Sequence, residues 1–264
     1  MSKTTSKVEP NRSIPIRRTA SAVAVVAVAA LAVSACGSSS GGSSSTSSTS
    51  STSSTSSSAS NGITSRSADQ IFDTAITAAK AAKSLHVAGA VRSGAQSVGL
   101  DLSIVAGKGA SGTISEGTAS FKLIAIGGSD YILPDQAFLL KAAHNQAAAA
   151  LLKGKWLKGS STNGDFASFG PLTSISSLMG SLTSAHGTLT KGTTSTLDGQ
   201  SVIALKSSKG GTMYVATTGK PYPLEVIKSS GSQTGKVTFS DYDKAFTIVA
   251  PANSINIAQL AKIG

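Results

Sequence analysis

The sequence predicts an α+β domain: a large curved antiparallel sheet with helices gathered on one side. Three observations carry this expectation. First, an amphipathic helical period near residue 67 gives way to a period of two. Second, the periodic segments run helix, strand run, two helices, strand run, an order that segregates helices to one face instead of alternating them with strands. Third, eight or more strands in one sheet should curl, yet the residues available to fill the curl are mostly Ala, Gly, Ser, Thr and Val, with aromatics at 5% of the chain. A concave face this poor in bulk tends to leave a hollow. A solid interior is the alternative, since core and cavity wall give the same alternation.

The domain is preceded by an address and a tether. Arg17 and Arg18 lead into Thr19 to Val33, an uncharged run of mostly Ala and Val. This is a basic region followed by a short apolar one, as in a secretory signal, and it falls short of the roughly 20 residues that a spanning helix needs. An uncleaved membrane anchor is the other reading. The run closes on Leu31-Ala32-Val33-Ser34-Ala35-Cys36, and Cys36 is the chain's one cysteine. Small residues before a lone Cys form a lipobox: the peptidase needs small side chains at Ser34 and Ala35, and the thiol takes diacylglycerol, with palmitate as the expected further acyl group. Residues 1–35 are therefore expected to be a lipoprotein signal peptide, and the protein to sit outside the cytoplasm, lipid-anchored to the outer face of the cell membrane. Residues 36–66 follow as the lipidated Cys and a Ser/Thr-rich tether. Its stretch from Gly37 to Ser60 carries no apolar side chain larger than Ala, so it cannot offset the entropy of ordering. As a coil it spans on the order of 27 Å.

Of 23 Lys and Arg and 12 Asp and Glu, five bases and one acid precede Cys36. The remaining surplus of bases suits anionic headgroups or a solvated surface. With no basic helix and no interleaved aromatics, nucleic acid is not an expected partner.

Residues 67–264 form the domain. Ser67 is a plausible N-cap, Asp69 suits the first turn, and Ile71, Phe72, Ala75, Ile76 and Ala79 mark a helix to about Lys83. Strands follow around Leu85–Val91, Val98–Val105, Ala110–Ser115, Ala119–Ala125 and Tyr131–Leu133, joined as hairpins. Asp135 to Leu152 reads as one helix, Trp156-Leu157 as a short strand, and Pro171 as the start of a helix with Leu172, Ile175, Leu178, Met179 and Leu182 on one face. Strands return from Leu189, at Val202–Leu205, Thr212–Ala216, Leu224–Ile227, Lys236–Tyr242 and Ala245–Val249. Ser254 would cap a terminal helix.

Catalytic and metal patterns are scarce. Gly107-Lys108-Gly109-Ala110-Ser111-Gly112 fits G-x-G-x-x-G, but strand continues through Thr113-Ile114-Ser115 where a phosphate-binding helix would have to start. His86, His144 and His186 are far apart, without partners at metal-ligand spacing. No nucleophile elbow or Ser/His/Asp order is present, and Asp241-Tyr242-Asp243-Lys244 lacks the acids of a Ca²⁺ loop. The chain is expected to be no enzyme and to need no cofactor or metal.

Leu197-Asp198-Gly199-Gln200-Ser201-Val202, through Met213-Tyr214-Val215-Ala216-Thr217-Thr218-Gly219-Lys220-Pro221-Tyr222-Pro223-Leu224, resembles the LppX/LprA/LprF/LprG lipoprotein family of actinobacteria. Gly235-Lys236-Val237-Thr238-Phe239-Ser240-Asp241-Tyr242-Asp243 to Ala250-Pro251 looks like the end of the same domain. The resemblance implies a LolA-like fold, a half-open barrel whose concave side is plugged by helices over a hydrophobic cavity. It also implies a carrier that binds the acyl chains of a lipid or glycolipid and moves it across the envelope as a monomer, with an envelope transporter as a further partner. Cavity candidates on the strands are Leu100, Leu102, Ile104, Phe121, Leu123, Met213 and Val215. Those on the helix are Ile175, Leu178, Met179 and Leu182. The alternative is a non-catalytic envelope sensor or protein-interaction module with a solid core.

Overall fold

The structure, a computed structural model, describes residues 59–143, 145–162 and 164–260. The signal, Cys36 and the tether up to residue 58 lie outside these residues. The folded unit starts earlier than the boundary expected at 66. Ile63, in a 3-10 turn at Ile63–Ser65, is 2% exposed. Ser60 bridges Thr218, and Asn61 donates its side-chain amide to the carbonyls of Ala216 (3.0 Å) and Gly219 (3.2 Å). One large apolar side chain in a polar stretch is enough to pull the segment onto the domain.

Helix α1 (Ala68–Lys80) begins with a capping box: the Gln70 N–H donates to the Ser67 hydroxyl, and the Ser67 N–H to the Gln70 side chain. It buries Ile71, Phe72, Ala75, Ile76 and Ala79. The chain then meanders through β1 (Ser84–Ser93), β2 (Gln96–Val105), β3 (Gly109–Glu116), β4 (Ala119–Ile126) and β5 (Ser129–Pro134). Next come α2 (Gln136–Ala143), α3 (Gln146–Leu152), β6 (Trp156–Ser160), a 3-10 segment at Gly164–Leu172 and α4 (Ile175–Ala185). A second meander comprises β7 (Leu189–Leu197), β8 (Gln200–Ser207), β9 (Thr212–Ala216), β10 (Pro223–Lys228) and β11 (Gln233–Ser240). The short β12 (Ser254–Asn256) and α5 (Ile257–Leu260) end the described chain.

The twelve strands make one sheet, ordered β12-β6-β5-β4-β3-β2-β1-β11-β10-β9-β8-β7. The two meanders join where β1 pairs antiparallel with β11, and β12 lies parallel to β6. Laid flat, such a sheet would be about 50 Å wide. Leu157 of β6 and Leu189 of β7, near opposite edges, nonetheless share one hydrophobic cluster. The sheet is therefore curled and its edges stay open. Helix α1 packs on α4, β7 and β10, and the 3-10 segment packs on β6 and α4, so helices cover the inside of the curl. This is the expected α+β architecture.

Register shows what faces the helices. Val226, Val237, Gly89, Leu100, Ile114 and Phe121 form one row across the sheet. Phe239, Val87, Leu102, Gly112, Leu123, Ile132 and Leu157 form the next. The glycine motif lies in this ladder: Gly107 turns the β2–β3 hairpin, and Gly109 and Gly112 belong to β3. A Cβ on Gly109 would sit 1.8 Å from the Ala125 carbonyl oxygen, and one on Gly112 would sit 1.9 Å from that of Asp101. These glycines allow close strand approach.

Several boundaries differ from expectation. The helix expected over 135–152 is two helices, since Asn145 accepts from the N–H groups of Ala147 and Ala148 and starts α3 afresh. Asp135 ties the start of α2 to β4, accepting from Phe138 N–H and from the Ser120 N–H and hydroxyl. Pro171 lies inside the 3-10 segment, and Ser174 caps α4. Ala245–Val249 is not strand, and Ser254 opens β12 instead of capping a helix.

Residues 241–244 are fixed by other bonds. Asp241 and Asp243 take positive φ (53° and 62°) on either side of Tyr242, whose ring stacks on Tyr222 at 3.9 Å. Asp243 accepts from Lys83 N–H (2.8 Å), Lys220 Nζ (2.7 Å) and Tyr222 OH (2.8 Å), while the Ser84 hydroxyl donates to the Lys244 carbonyl. These groups, the Lys220 ammonium first, hold the Asp243 carboxyl well below the usual carboxylate range.

One inward position is anomalous. Asp130 continues the row Leu85, Ile104, Ala110, Ala125, is 1% exposed, and leaves Oδ2 without a hydrogen-bond partner among the described residues. Burial pushes its carboxyl up to about 6 from an ordinary 3.8. Between those values the folded chain holds a proton that the unfolded chain has released, so stability falls as pH rises through this window. Asp130→Asn should therefore stabilise the protein at pH 7.5 by on the order of 3 kcal/mol and far less at pH 4. Urea midpoints at the two pH values check this, and an equal gain at both would contradict it. Asp243 has the opposite sign: its contribution is present above about pH 4 and is lost on acidification. Asp243→Asn should lower stability at pH 7 and narrow its gap to the parent protein at the acid end, as thermal melts across pH 2 to 7 would show.

Candidate functional site

The concave face is filled unevenly. The rings of Phe121 and Phe138 meet at 5.0 Å, Phe121 and Phe169 at 5.3 Å, and Phe166 and Phe169 at 6.0 Å. Four of the chain's seven Phe thus fill the part of the curl near β4 and β6. Gly159 of β6 makes room for them, because a Cβ there would come within 2.5 Å of the Phe166 ring.

Over β1, β2, β10 and β11 the cover is thinner. Leu172 of the 3-10 segment and Leu178 and Leu182 of α4 face Val87, Val91, Leu100, Val226, Val237 and Phe239 across an apolar crevice of about 100 Å³ that opens to solvent. The rest of its wall is Lys228, Gln233, Thr234 and Gly235, from the end of β10 and the start of β11. Lys228 pairs in register with Gly235, and Gly235 with Val91, so the lysine shares the inward row with apolar and glycine positions.

Helix α4, which roofs the crevice, is weakly built. It carries Gly180, and the hydroxyls of Ser181, Thr183 and Ser184 donate back to the carbonyls of Ser177, Met179 and Gly180. Such residues lower helix propensity, and back-bonding of this kind bends helices. Ile175, Met179 and Leu182 anchor it to the core, and His186 just beyond it packs its ring on Phe72 at 4.6 Å.

Of the candidate cavity residues, Leu100, Leu178 and Leu182 line the crevice. Leu102, Ile104, Leu123, Ile175, Met179, Met213 and Val215 are buried in the core around it, and Phe121 belongs to the ring cluster. The wall adds Val87, Val91, Leu172, Val226, Val237, Phe239 and the polar end at Lys228, none of which sequence reasoning had selected. The available signal was Lys228 itself, two residues after inward-facing Val226.

A larger groove of about 470 Å³ lies beside Tyr222 and Tyr242, lined also by Leu197, Asp198, Gln200, Lys220, Leu224, Glu225 and Lys244. Many of its polar groups are already engaged. Lys220 and Tyr222 bind Asp243, Lys244 binds Asp241, Glu225 pairs with Lys236, and Tyr242 OH donates to the Pro223 carbonyl. The groove is the seam of the C-terminal crossing, and the crevice is the candidate site.

No protein-family model matches the chain, and no curated protein does. Among solved structures it is similar to LprF from Mycobacterium bovis, at 13% identity and a TM-score of 0.46, over 70% of this chain and 97% of that one. It is also similar to the lipoprotein LppX from Mycobacterium tuberculosis (15%, TM-score 0.45, 68% and 96% covered) and to a LolA superfamily protein from Nitrosomonas europaea (7%, TM-score 0.23, 67% and 93% covered).

Proposed function

We propose that the protein is a non-catalytic, membrane-anchored carrier outside the cytoplasm that takes an acyl chain of a lipid or glycolipid into the crevice beneath α4 and moves it through the cell envelope. The observation that carries this reading is the crevice itself: apolar side chains from both the sheet and its helical cover, left unfilled inside a curled sheet. The anchor is the lipidated Cys36, the chain works as a monomer, and an envelope transporter is its expected partner.

Size sets the mechanism. At about 30 Å³ per small group, the crevice as it stands holds on the order of three methylenes. Each buried CH₂ contributes about 0.8 kcal/mol, so these alone give weak binding. A chain of about 16 carbons requires α4 to move off β1 and β11, and its serine-rich, back-bonded build supports such movement. Leaving a bilayer for this interior is close to neutral in energy, because both surroundings are apolar, so transfer can run in either direction.

The crevice's small volume also favours a second reading, an envelope sensor or protein-interaction module whose interior stays closed. Native mass spectrometry of the full chain carrying Cys36→Ser separates the two. The carrier reading expects co-purified acyl lipid and uptake of a fluorescent fatty-acid probe. Leu178→Trp, which fills the crevice, should weaken that uptake at least tenfold, while Leu140→Trp on an exposed helix position should leave it unchanged. Absence of lipid and of uptake in the parent chain would overturn the carrier reading.

A further inference from the structure

The crevice wall carries one charged side chain, and its placement bears on the ligand. By register Lys228 lies on the concave side of β10, in the row with Gly235 and Val91. It is half-buried, and its stem runs beside Gly231, where a Cβ would lie 3.5 Å from Lys228 Cε and 3.7 Å from Nζ. The other described lysines are exposed, apart from Lys158, which sits over the Tyr131 ring at 5.5 Å. The ion pairs of Lys141, Lys220, Lys236 and Lys244 have no counterpart at Lys228, whose side chain has neither an ion pair nor a hydrogen bond among the described residues. No acid lines the crevice.

A half-buried ammonium against an apolar wall gives up hydration without return unless an anion meets it. Gln233 and Thr234 lie beside it in the lining and add polar groups on the same rim. Resting on the carrier reading above, we infer that the crevice selects a single acyl chain bearing an anionic head group, with the tail under Leu178 and Leu182 and the head on Lys228. The complementarity is one cation to one anion. A carboxylate and a phosphate monoester supply the same chemistry.

The test compares hexadecanoate, hexadecyl phosphate and hexadecanol for binding to the full chain carrying Cys36→Ser, by displacement of a neutral fluorescent acyl probe at low and high salt. The expected result is that both anions bind about tenfold or more tighter than the alcohol, with the margin shrinking at high salt. Lys228→Met should remove the margin and leave alcohol binding intact, and Lys228→Arg should keep it. Selective binding of one anion alone identifies the head group and still depends on Lys228. Equal binding of alcohol and anions, or a margin that survives Lys228→Met, would overturn the inference and make Lys228 a strand-end lysine reaching for water. If no probe binds at all, the carrier reading itself has failed, which is a separate outcome.

Discussion

A sheet of twelve strands has to do something with its width. Right-handed twist and the burial of one face curl it, and the curl creates an inner surface that the rest of the chain must cover. The 3-10 segment, α4 and α1, each packed on the next, reach from β6 to β7 because the sheet bends. The two meanders, the join at β1 and β11, and the helices inserted between the meanders all follow from that bend. Where the cover lands is then a question of bulk. With seven Phe and one Trp, the chain cannot fill the whole concavity with rings. It places four Phe toward β4 and β6 and lines the part under α4 mainly with Leu and Val, so unfilled volume appears there.

Much of the architecture was legible in the residues, for reasons that are local. Ser67 and Gln70 announce a helix start, period-two alternation announces each strand, and the order of segments announces helices on one side. What stayed hidden depends on distant partners. Leu102 and Leu100 alternate identically along β2, yet Leu102 is buried in the core and Leu100 lines the crevice, a difference set by what the distant helices cover and not by the strand itself. Ile63 was lost in a polar stretch whose docking site lies at 216–219. The strand expected at 245–249 has good β propensity, but the Asp243 bonds to Lys83, Lys220 and Tyr222 turn the chain away from a ladder position, and pairing resumes at Ser254 on the far edge.

Charge is placed in two contrasting ways. Along the C-terminal crossing, carboxylates and lysines satisfy each other, and they fasten the segment that leads from β11 to the opposite edge of the sheet. Inside the curl, Asp130 and the Lys228 side chain stand without such partners among the described residues. Asp130 is enclosed, and its ionisation above about pH 6 costs stability. Lys228 sits where the crevice opens, and its charge is available to whatever enters there. The same concave surface thus holds a stability cost at one place and a recognition feature at another.

The central claim is that the interior under α4 opens to admit a guest, and amide hydrogen exchange reports on it most directly. Without lipid, the amides of residues 175–185 should exchange well before those of α1, whose capping box and apolar face hold it to the sheet, and added hexadecanoate should slow them selectively. If α4 proves as protected as α1 in the free protein and shows no response to the acyl chain, the interior is closed and the account is wrong.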